Sequence, residues 1–355
     1  KSFRRCWSPR IGSRPKPRPL QGVSISKKSG IEGCPLIASL CRGCFVTPMT
    51  KELPKLLILS GPTGSGKSGL AIELALLFGA EILSADSMQV YRGMDIGTAK
   101  LLMSERKGIP HHLIDIVDPD QEFNAALFLS LALSVIDYSR RKGIPIIVVG
   151  GTGLYVKALI GGLFRCPPSQ RALRQGLWEE CEEKGSTFLY QRLCRVDSKA
   201  ADGIHPLDAI RIIRALEVVH LTGRPFSALT KEHGFSERRF ATLHLCLHVD
   251  REALYERINA RTLLMIDAGL VEEVEGLLAM GYGPELKPMK AIGYRHIVGY
   301  LKGDRDLDEA TRLIQRDTRR YAKRQITWFK ADPEVVWVDP DDRSEMIGRV
   351  RAFWR

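Results

Sequence analysis

Eight consecutive residues carry the plainest chemistry in the chain. Gly61-Pro62-Thr63-Gly64-Ser65-Gly66-Lys67-Ser68 fits the spacing GxxxxGK[ST], the signature of a loop that wraps a phosphate. Glycines at 61, 64 and 66 permit a tight turn whose backbone N–H groups point at phosphate oxygens. Lys67 would neutralise the outer phosphate, and Ser68 would ligate Mg²⁺. The competing explanation is a glycine-rich turn with a chance lysine. The flanks speak against it. Residues 55–60 are a short apolar run suited to a buried parallel strand, and Leu70, Ala71, Leu74, Ala75 and Phe78 recur at helical spacing. The helix N-terminus adds a partial positive charge. The pattern points to a di- or triphosphate and is silent on which one.

A second set of residues can face the same crevice. Residues 81–86 read as a strand ending in Asp86, followed by the loop Ser87-Met88-Gln89-Val90-Tyr91. In open α/β sheets, ligands bind beyond the carboxyl ends of the strands. A carboxylate there could hold Mg²⁺ through water or act as a general base. It could equally cap a helix or a turn, and the residues alone leave both readings open. Residues 144–149 form another buried strand, and Gly150-Gly151-Thr152-Gly153 turns from it into a helix; such turns also serve plain packing. His111 and His112 are adjacent, so in a strand they point to opposite faces. A structural role is expected for them, as for His244 and His248.

These residues need a scaffold that brings strand ends together. The expected fold is α/β, a P-loop NTPase-like parallel sheet core with a mainly helical insertion and a helical C-terminal segment. The expected boundaries are an extension at 1–50, the core at 51–165, the insertion at 166–235, and 236–355 for the return to the core and the C-terminal helices. The insertion opens at Pro167-Pro168 and continues in helical patterns over 171–184 and 208–220. With Arg211 and Arg214 one turn apart it could grip RNA. Residues 241–249 alternate and then run apolar, as a strand rejoining the sheet would. From Arg312 to Lys330 there are seven bases and one acid, Asp317. Arg312, Arg316, Arg319 and Lys323 step by four, three and four, so on a helix they share a face. Such a face suits a phosphate backbone; the plainer alternative is a solvated helix surface. Trp328 and Phe329 could stack on a base or fill core, and core is expected of at least one.

Composition sets outer limits. The chain has 355 residues, 44% hydrophobic and 26% charged, an ordinary globular balance that allows one large domain or two smaller ones. No apolar run approaches the ~18 residues of a membrane span. Eight irregularly spaced cysteines do not form a disulfide framework, and a reducing compartment is expected. The net charge is +12, but residues 1–50 hold ten Lys or Arg against one acid, Glu32. The rest is only mildly basic, so nucleic-acid binding rests on local clusters. The first fifty residues read either as an organellar transit peptide or as sequence upstream of a natural start at Met49. The second reading is favoured, because the compact pattern begins directly after Met49. Cys41 and Cys44 form a CxxC without a second pair at finger spacing, and incidental thiols are expected.

Ordered blocks along the body resemble a known family. GPTGSGKS at 61–68, SADSMQVYRGMDIGTAK at 84–100, PHHLIDIVDP at 110–119, GGTGLY at 150–155, HPLDAIRIIRALEV at 205–218, KAIGYR at 290–295 and KRQITWF at 323–329 are similar to tRNA dimethylallyltransferases. Many enzymes share a P-loop; seven ordered blocks over about residues 55–330 are far more specific. The resemblance implies transfer of a dimethylallyl group from dimethylallyl diphosphate to the exocyclic N6 amine of the adenine just 3′ of the anticodon. The partner is then the anticodon stem-loop of a tRNA, and the cofactor Mg²⁺. The loop Gly61–Ser68 would hold the diphosphate rather than ATP, although the family's loop is commonly labelled ATP-binding.

Position by position, the resemblance makes Asp86 the general base and places Lys67 and Thr63 with it among the catalytic residues. Asp86, Ser87, Met88 and Gln89 fall where the target base is recognised, and Thr152 matches the threonine of the glycine turn. The tRNA-contacting blocks fall on Ile210, Arg211, Ile212, Ile213 and Arg214, on Lys290, Ala291, Ile292, Gly293, Tyr294 and Arg295, and on Lys323, Arg324, Gln325, Ile326, Thr327, Trp328, Phe329 and Lys330. Arg174 is a looser placement. Ile210 stands where the family often has a glutamine. No cysteine follows Cys246, so the zinc-finger extension of eukaryotic members is not matched and a bacterial-type, monomeric, cytoplasmic enzyme is expected, organellar if 1–50 is a genuine transit peptide. The alternatives are an adenylate isopentenyltransferase acting on a free nucleotide, a small-molecule P-loop kinase, and a non-catalytic RNA-binding protein. The basic blocks at 290–330 argue against the first; intact Lys67, Ser68 and Asp86 argue against the last.

Overall fold

The computed structural model describes residues 53–164, 167 and 170–355. The expectations for residues 1–50, for Met49 as the start and for the Cys41/Cys44 pair lie outside the described residues. Six strands form one parallel sheet among the described residues: β1 (Lys55–Ser60), β2 (Glu81–Ser84), β3 (His111–His112), β4 (Ile146–Gly150), β5 (Ala241–Leu247) and β6 (Val336–Val338). Their spatial order is β3-β2-β4-β1-β5-β6. β1 lies inside the sheet, with Leu57 opposite Ile147 of β4 on one side and Leu243 of β5 on the other.

The unbroken apolar runs of β1 and β4 follow from burial on both faces. Alternation then sorts their side chains. Leu56 and Ile58 enter one core with Leu83 and Val148, while Leu57 and Leu59 enter the other with Ile82 and Val149. The first core is covered by α2 (Ala125–Arg141) and α3 (Gly153–Gly161), through Phe128 stacked on Tyr155 at 4.4 Å between centroids. The second is covered by α1 (Lys67–Phe78) and α13 (Arg343–Trp354), through Leu70, Leu74, Met346 and Val350.

Two strands differ from expectation for local reasons. β4 starts at Ile146 rather than 144, after Pro145, which has no N–H to give the ladder. β2 ends at Ser84 because Asp86 already belongs to a turn, its carboxylate accepting from the Met88 and Gln89 N–H groups. The three-residue β6 was too short to show as a pattern.

The helical region after α3 comprises α4 (Arg171–Lys184), α5 (Ser186–Val196), α6 (Ser198–Asp202), α7 (Ala209–Thr222) and α8 (Phe226–His233). It has its own apolar core of Leu177, Leu189, Leu193, Ile212, Ile213 and Leu216. The expected RNA contact at Ile212 and Ile213 is therefore corrected: helical period turns both inward, while Ile210 and Arg211 face out. Arg174 and Arg214 both donate to Oε2 of Glu217 at 2.7 Å. Glu217 is fully buried, and a buried carboxylate needs such partners, so these two arginines also have a structural duty.

After β5 come α9 (Arg251–Asp267), α10 (Leu270–Ala279), a 3₁₀ turn (Pro288–Lys290), α11 (Tyr294–Leu301) and the long α12 (Leu307–Lys330). Asp250 and Asp306 cap α9 and α12 by accepting from N–H groups of the first turn, a typical N-cap use of aspartate. The basic face of α12 needs one correction. Arg319 is turned onto α9, where Nη1 donates to Asn259 Oδ1 at 2.5 Å and the guanidinium lies 5.9 Å from the Tyr255 ring. Arg312, Arg316, Arg320, Lys323 and Arg324 form the exposed side instead.

Candidate active site

The glycine loop leaves β1 at the carboxyl edge of the sheet. Gly64 and Gly66 hold φ of +85° and +87°, where any other residue would be strained. Gly66 is also the N-cap of α1. Lys67 Nζ donates to the Pro62 carbonyl at 2.9 Å. Burial, and then the nearby Arg261 guanidinium, lower the Lys67 pKa from 10.5 to about 8, with the Asp86 charge acting the other way. The Ser65 hydroxyl is buried with no hydrogen-bond partner among the described residues.

Two elements distant in sequence brace this loop. Gln325 of α12 is buried: its Oε1 accepts from the Thr63 N–H at 2.8 Å, and its Nε2 donates to the Gly151 carbonyl at 2.9 Å. The expected tRNA contact at Gln325 is corrected accordingly, because the side chain is spent tying two strand-end loops together. From α9, Arg261 Nη2 donates to Thr63 Oγ1 at 2.6 Å.

Asp86 sits across from the loop. Its Oδ1 accepts from the N–H groups of Met88 (2.8 Å) and Gln89 (3.3 Å), which fixes the carboxylate. Thr152 Oγ1 accepts from the Ser87 N–H at 3.2 Å, joining the turn after β4 to the loop after β2. Gln89 takes a hydrogen bond from Ser84 Oγ and gives one to the Thr98 carbonyl, both at 3.3 Å.

Two cavities meet here. The first, of about 350 Å³, is lined by Gly64, Gly66, Lys67, Ser68, Gln89 and Arg257, with Ile82, Leu101, Ile114 and Val149 as its apolar wall. The second, of about 280 Å³, is lined by Ser87, Met88 and residues 291–295. Thr63, Asp86, Thr98, Ala99, Arg261 and Tyr321 belong to both linings and form the throat between them. Burial, then the Asp86 charge, push Tyr321 up to about 12, so its phenol keeps its proton. A carboxylate and a phosphate-shaped loop thus share a passage open to two sides. His111, expected to be purely structural, lines the first cavity, and burial lowers its pKa.

The remaining expected residues divide by burial. Ala291, Ile292, Gly293, Tyr294 and Arg295 line the second cavity, and Lys290 is exposed. Tyr294 is buried with its hydroxyl donating to Glu273 (2.6 Å), and Arg295 donates to Asp317 at 2.6 Å. Burial alone would raise the Asp317 pKa, but hydrogen bonds from Arg316, Arg295 and His296 hold the carboxyl far below its ordinary range. Lys323, Arg324, Thr327 and Lys330 face out. Ile326 packs against Leu254 and Ile258, and Phe329 is buried with Cys246 and Val335, so the expected RNA contact at these two is corrected. Trp328 is 43% exposed and lies against Gly153, where an added Cβ would come within 2.2 Å of the indole. Arg257, Arg261 and Tyr321 were missed in the sequence. Their only signal is one helical turn between the two arginines on the helix that follows β5.

The fold is of the P-loop-like α/β class, with its site at the carboxyl edge of a parallel sheet. A family model described as IPP transferase matches residues 89–332, and one described as isopentenyl transferase matches residues 54–116. The chain belongs to the IPP transferase family. It is 50% identical over 304 residues to tRNA dimethylallyltransferase 2 of Syntrophus aciditrophicus, covering 86% of this chain and 98% of that one. The crystal structure of the tRNA isopentenylpyrophosphate transferase of Bacillus halodurans is 39% identical with a TM-score of 0.61, covering 84% of this chain and 95% of that one. A eukaryotic dimethylallyltransferase captured acting on tRNA is 30% identical with a TM-score of 0.71, covering 84% of this chain and 77% of that one.

Proposed function

We propose that this chain transfers the dimethylallyl group of dimethylallyl diphosphate to N6 of the adenine 3′-adjacent to the anticodon in tRNA, giving N6-isopentenyladenosine. The observation that carries the reading is Asp86 in the throat between a phosphate-shaped cavity and a second cavity whose lining includes Arg261 and Arg295. The diphosphate occupies the loop at Gly61–Ser68, against backbone N–H groups, Lys67 and Arg261. Its apolar tail faces the wall of Ile82, Leu101, Ile114 and Val149. The adenine, unstacked at a cost of a few kcal/mol, enters from the second cavity past Ser87, Met88 and Gln89.

In the step itself, N6 attacks C1 of the donor. A C–N bond forms, the C1–O bond breaks with its electron pair passing to the diphosphate, and the N6 proton moves to Asp86. The exocyclic amine is a weak nucleophile because its lone pair is delocalised, so a placed base has most effect here; general-base catalysis typically gives ~10²–10⁴-fold. Lys67 and Arg261 neutralise charge building on the leaving group.

No group of three or more His, Cys, Asp or Glu suited to a metal exists among the described residues. Mg²⁺ commonly binds through one or two protein oxygens plus phosphates and water, and the Ser68 hydroxyl in the donor cavity fits that habit. Bound there with the diphosphate, Mg²⁺ would supply further charge neutralisation.

Mass spectrometry of tRNA nucleosides after incubation with dimethylallyl diphosphate and Mg²⁺ tests the reading. N6-isopentenyladenosine at the position 3′ of the anticodon is expected. Modification of AMP with none of tRNA would overturn it.

A further inference from the structure

Loop 95–99 supplies Thr98 and Ala99 to the throat, yet a separate part of the chain holds it. Glu273 of α10 reaches the loop with both carboxylate oxygens. Oε2 accepts from the N–H groups of Asp95 (2.9 Å) and Ile96 (2.7 Å), and Oε1 from the Gly97 N–H (3.1 Å). Oε1 also accepts from the buried Tyr294 hydroxyl at 2.6 Å. Four donors on one carboxylate, three of them consecutive backbone amides, make a charge-assisted clasp. Gly97 fits beneath it because it has no side chain: a Cβ there would lie 2.5 Å from the Tyr294 ring. The clasped loop then presents the Thr98 carbonyl to Gln89 Nε2 at 3.3 Å. Gln89 is in turn joined to the Asp86 turn through its own N–H.

We propose that Glu273 is a positioning residue for the transfer. It fixes loop 95–99, and through the Thr98 carbonyl it sets the side-chain orientation of Gln89 beside Asp86. The inference rests on the reading of the site given above and adds a residue to it. Surface attachment would serve fold stability wherever it occurred. This clasp instead ends on the backbone that forms one side of the passage between donor and base.

A double-mutant cycle separates positioning from bulk stabilisation, since residues acting through one another are non-additive. Glu273→Gln keeps the shape and removes the charge. The expected result is a fall in kcat on tRNA of at least about tenfold with the KM for dimethylallyl diphosphate changed less than about twofold. Gln89→Ala should lower kcat as well, and the double variant should lose no more than the worse single variant. Additive losses, or a Glu273→Gln enzyme with unchanged kcat, overturn the proposal. Amide exchange at Asp95, Ile96 and Gly97, faster in Glu273→Gln than in the parent, reads the clasp without turnover and so separates its failure from failure of the functional reading. If Glu273→Gln does not fold, Tyr294→Phe, which removes one of the four donors, takes its place in the same cycle with the same criteria.

Discussion

The Asp86 carboxylate, the base proposed for the transfer, has its direction set before substrate arrives, because two backbone N–H groups already hold one of its oxygens. Asp86→Asn keeps the shape and both of those contacts while removing the ability to take a proton. It is expected to bind donor normally and to form N6-isopentenyladenosine ~10²–10⁴-fold more slowly, read as a single-turnover rate; a rate near the parent's would take Asp86 out of the base role. Lys67 makes a second prediction at this scale. Burial and Arg261 bring its pKa to about 8, so it is charged below that pH and loses its charge as pH rises through it. The kcat/KM for the donor, which reports the free enzyme, should therefore fall on the alkaline side of about pH 8. Lys67→Arg, always charged, should lose that limb even if its plateau is lower. A flat profile to pH 10 in the parent would contradict the clamp.

Helix α12 does two jobs at once, and the division follows its phase. Its inner side delivers Gln325 to the Thr63 N–H and the Gly151 carbonyl. Gln325→Ala leaves both groups without this partner, the Gly151 carbonyl at a buried site and the Thr63 N–H at a part-buried one, and with ~1–3 kcal/mol for each unsatisfied group a loss of about 2–6 kcal/mol is expected. Urea unfolding checks it: the midpoint should drop with the slope unchanged. The sequence revealed the contiguous parts of the site well. The glycine loop, Asp86 and the Thr152 turn each lie at a strand end, where chain direction alone brings them to one edge. Arg261 and Tyr321 were illegible, and Gln325 was expected on RNA rather than against the loop, because nothing local marks a polar side chain as turned onto a strand-end loop distant in sequence. Arg319 was misplaced for a related reason. Spacing alone fits Arg319 or Arg320 into the basic row, and only the contact with Asn259 and Tyr255 of α9 selects which one turns inward.

For the whole molecule, charge is segregated by surface rather than by amount. The described body is nearly balanced, but α12 turns Arg312, Arg316, Arg320, Lys323 and Arg324 outward on the helix whose Tyr321 lines the throat. A polyanion laid along that side would bring a single displaced base toward Asp86, so backbone affinity and base chemistry would be carried by different residues. Phosphate contacts release counterions, and each one lost lowers the magnitude of the slope of log affinity against log salt by ~0.7–0.9. Lys323→Ala is expected to show that change and to weaken all tRNA substrates about equally, with the melting temperature unmoved. Arg319→Ala should do the reverse, leaving the salt slope alone and lowering the melting temperature, because its guanidinium is engaged by α9. Binding titrations from 50 to 200 mM salt, a range over which multi-contact complexes weaken strongly, paired with thermal melts decide it. The opposite pattern, with the slope following Arg319 and not Lys323, would mean that RNA approaches a different side of α12.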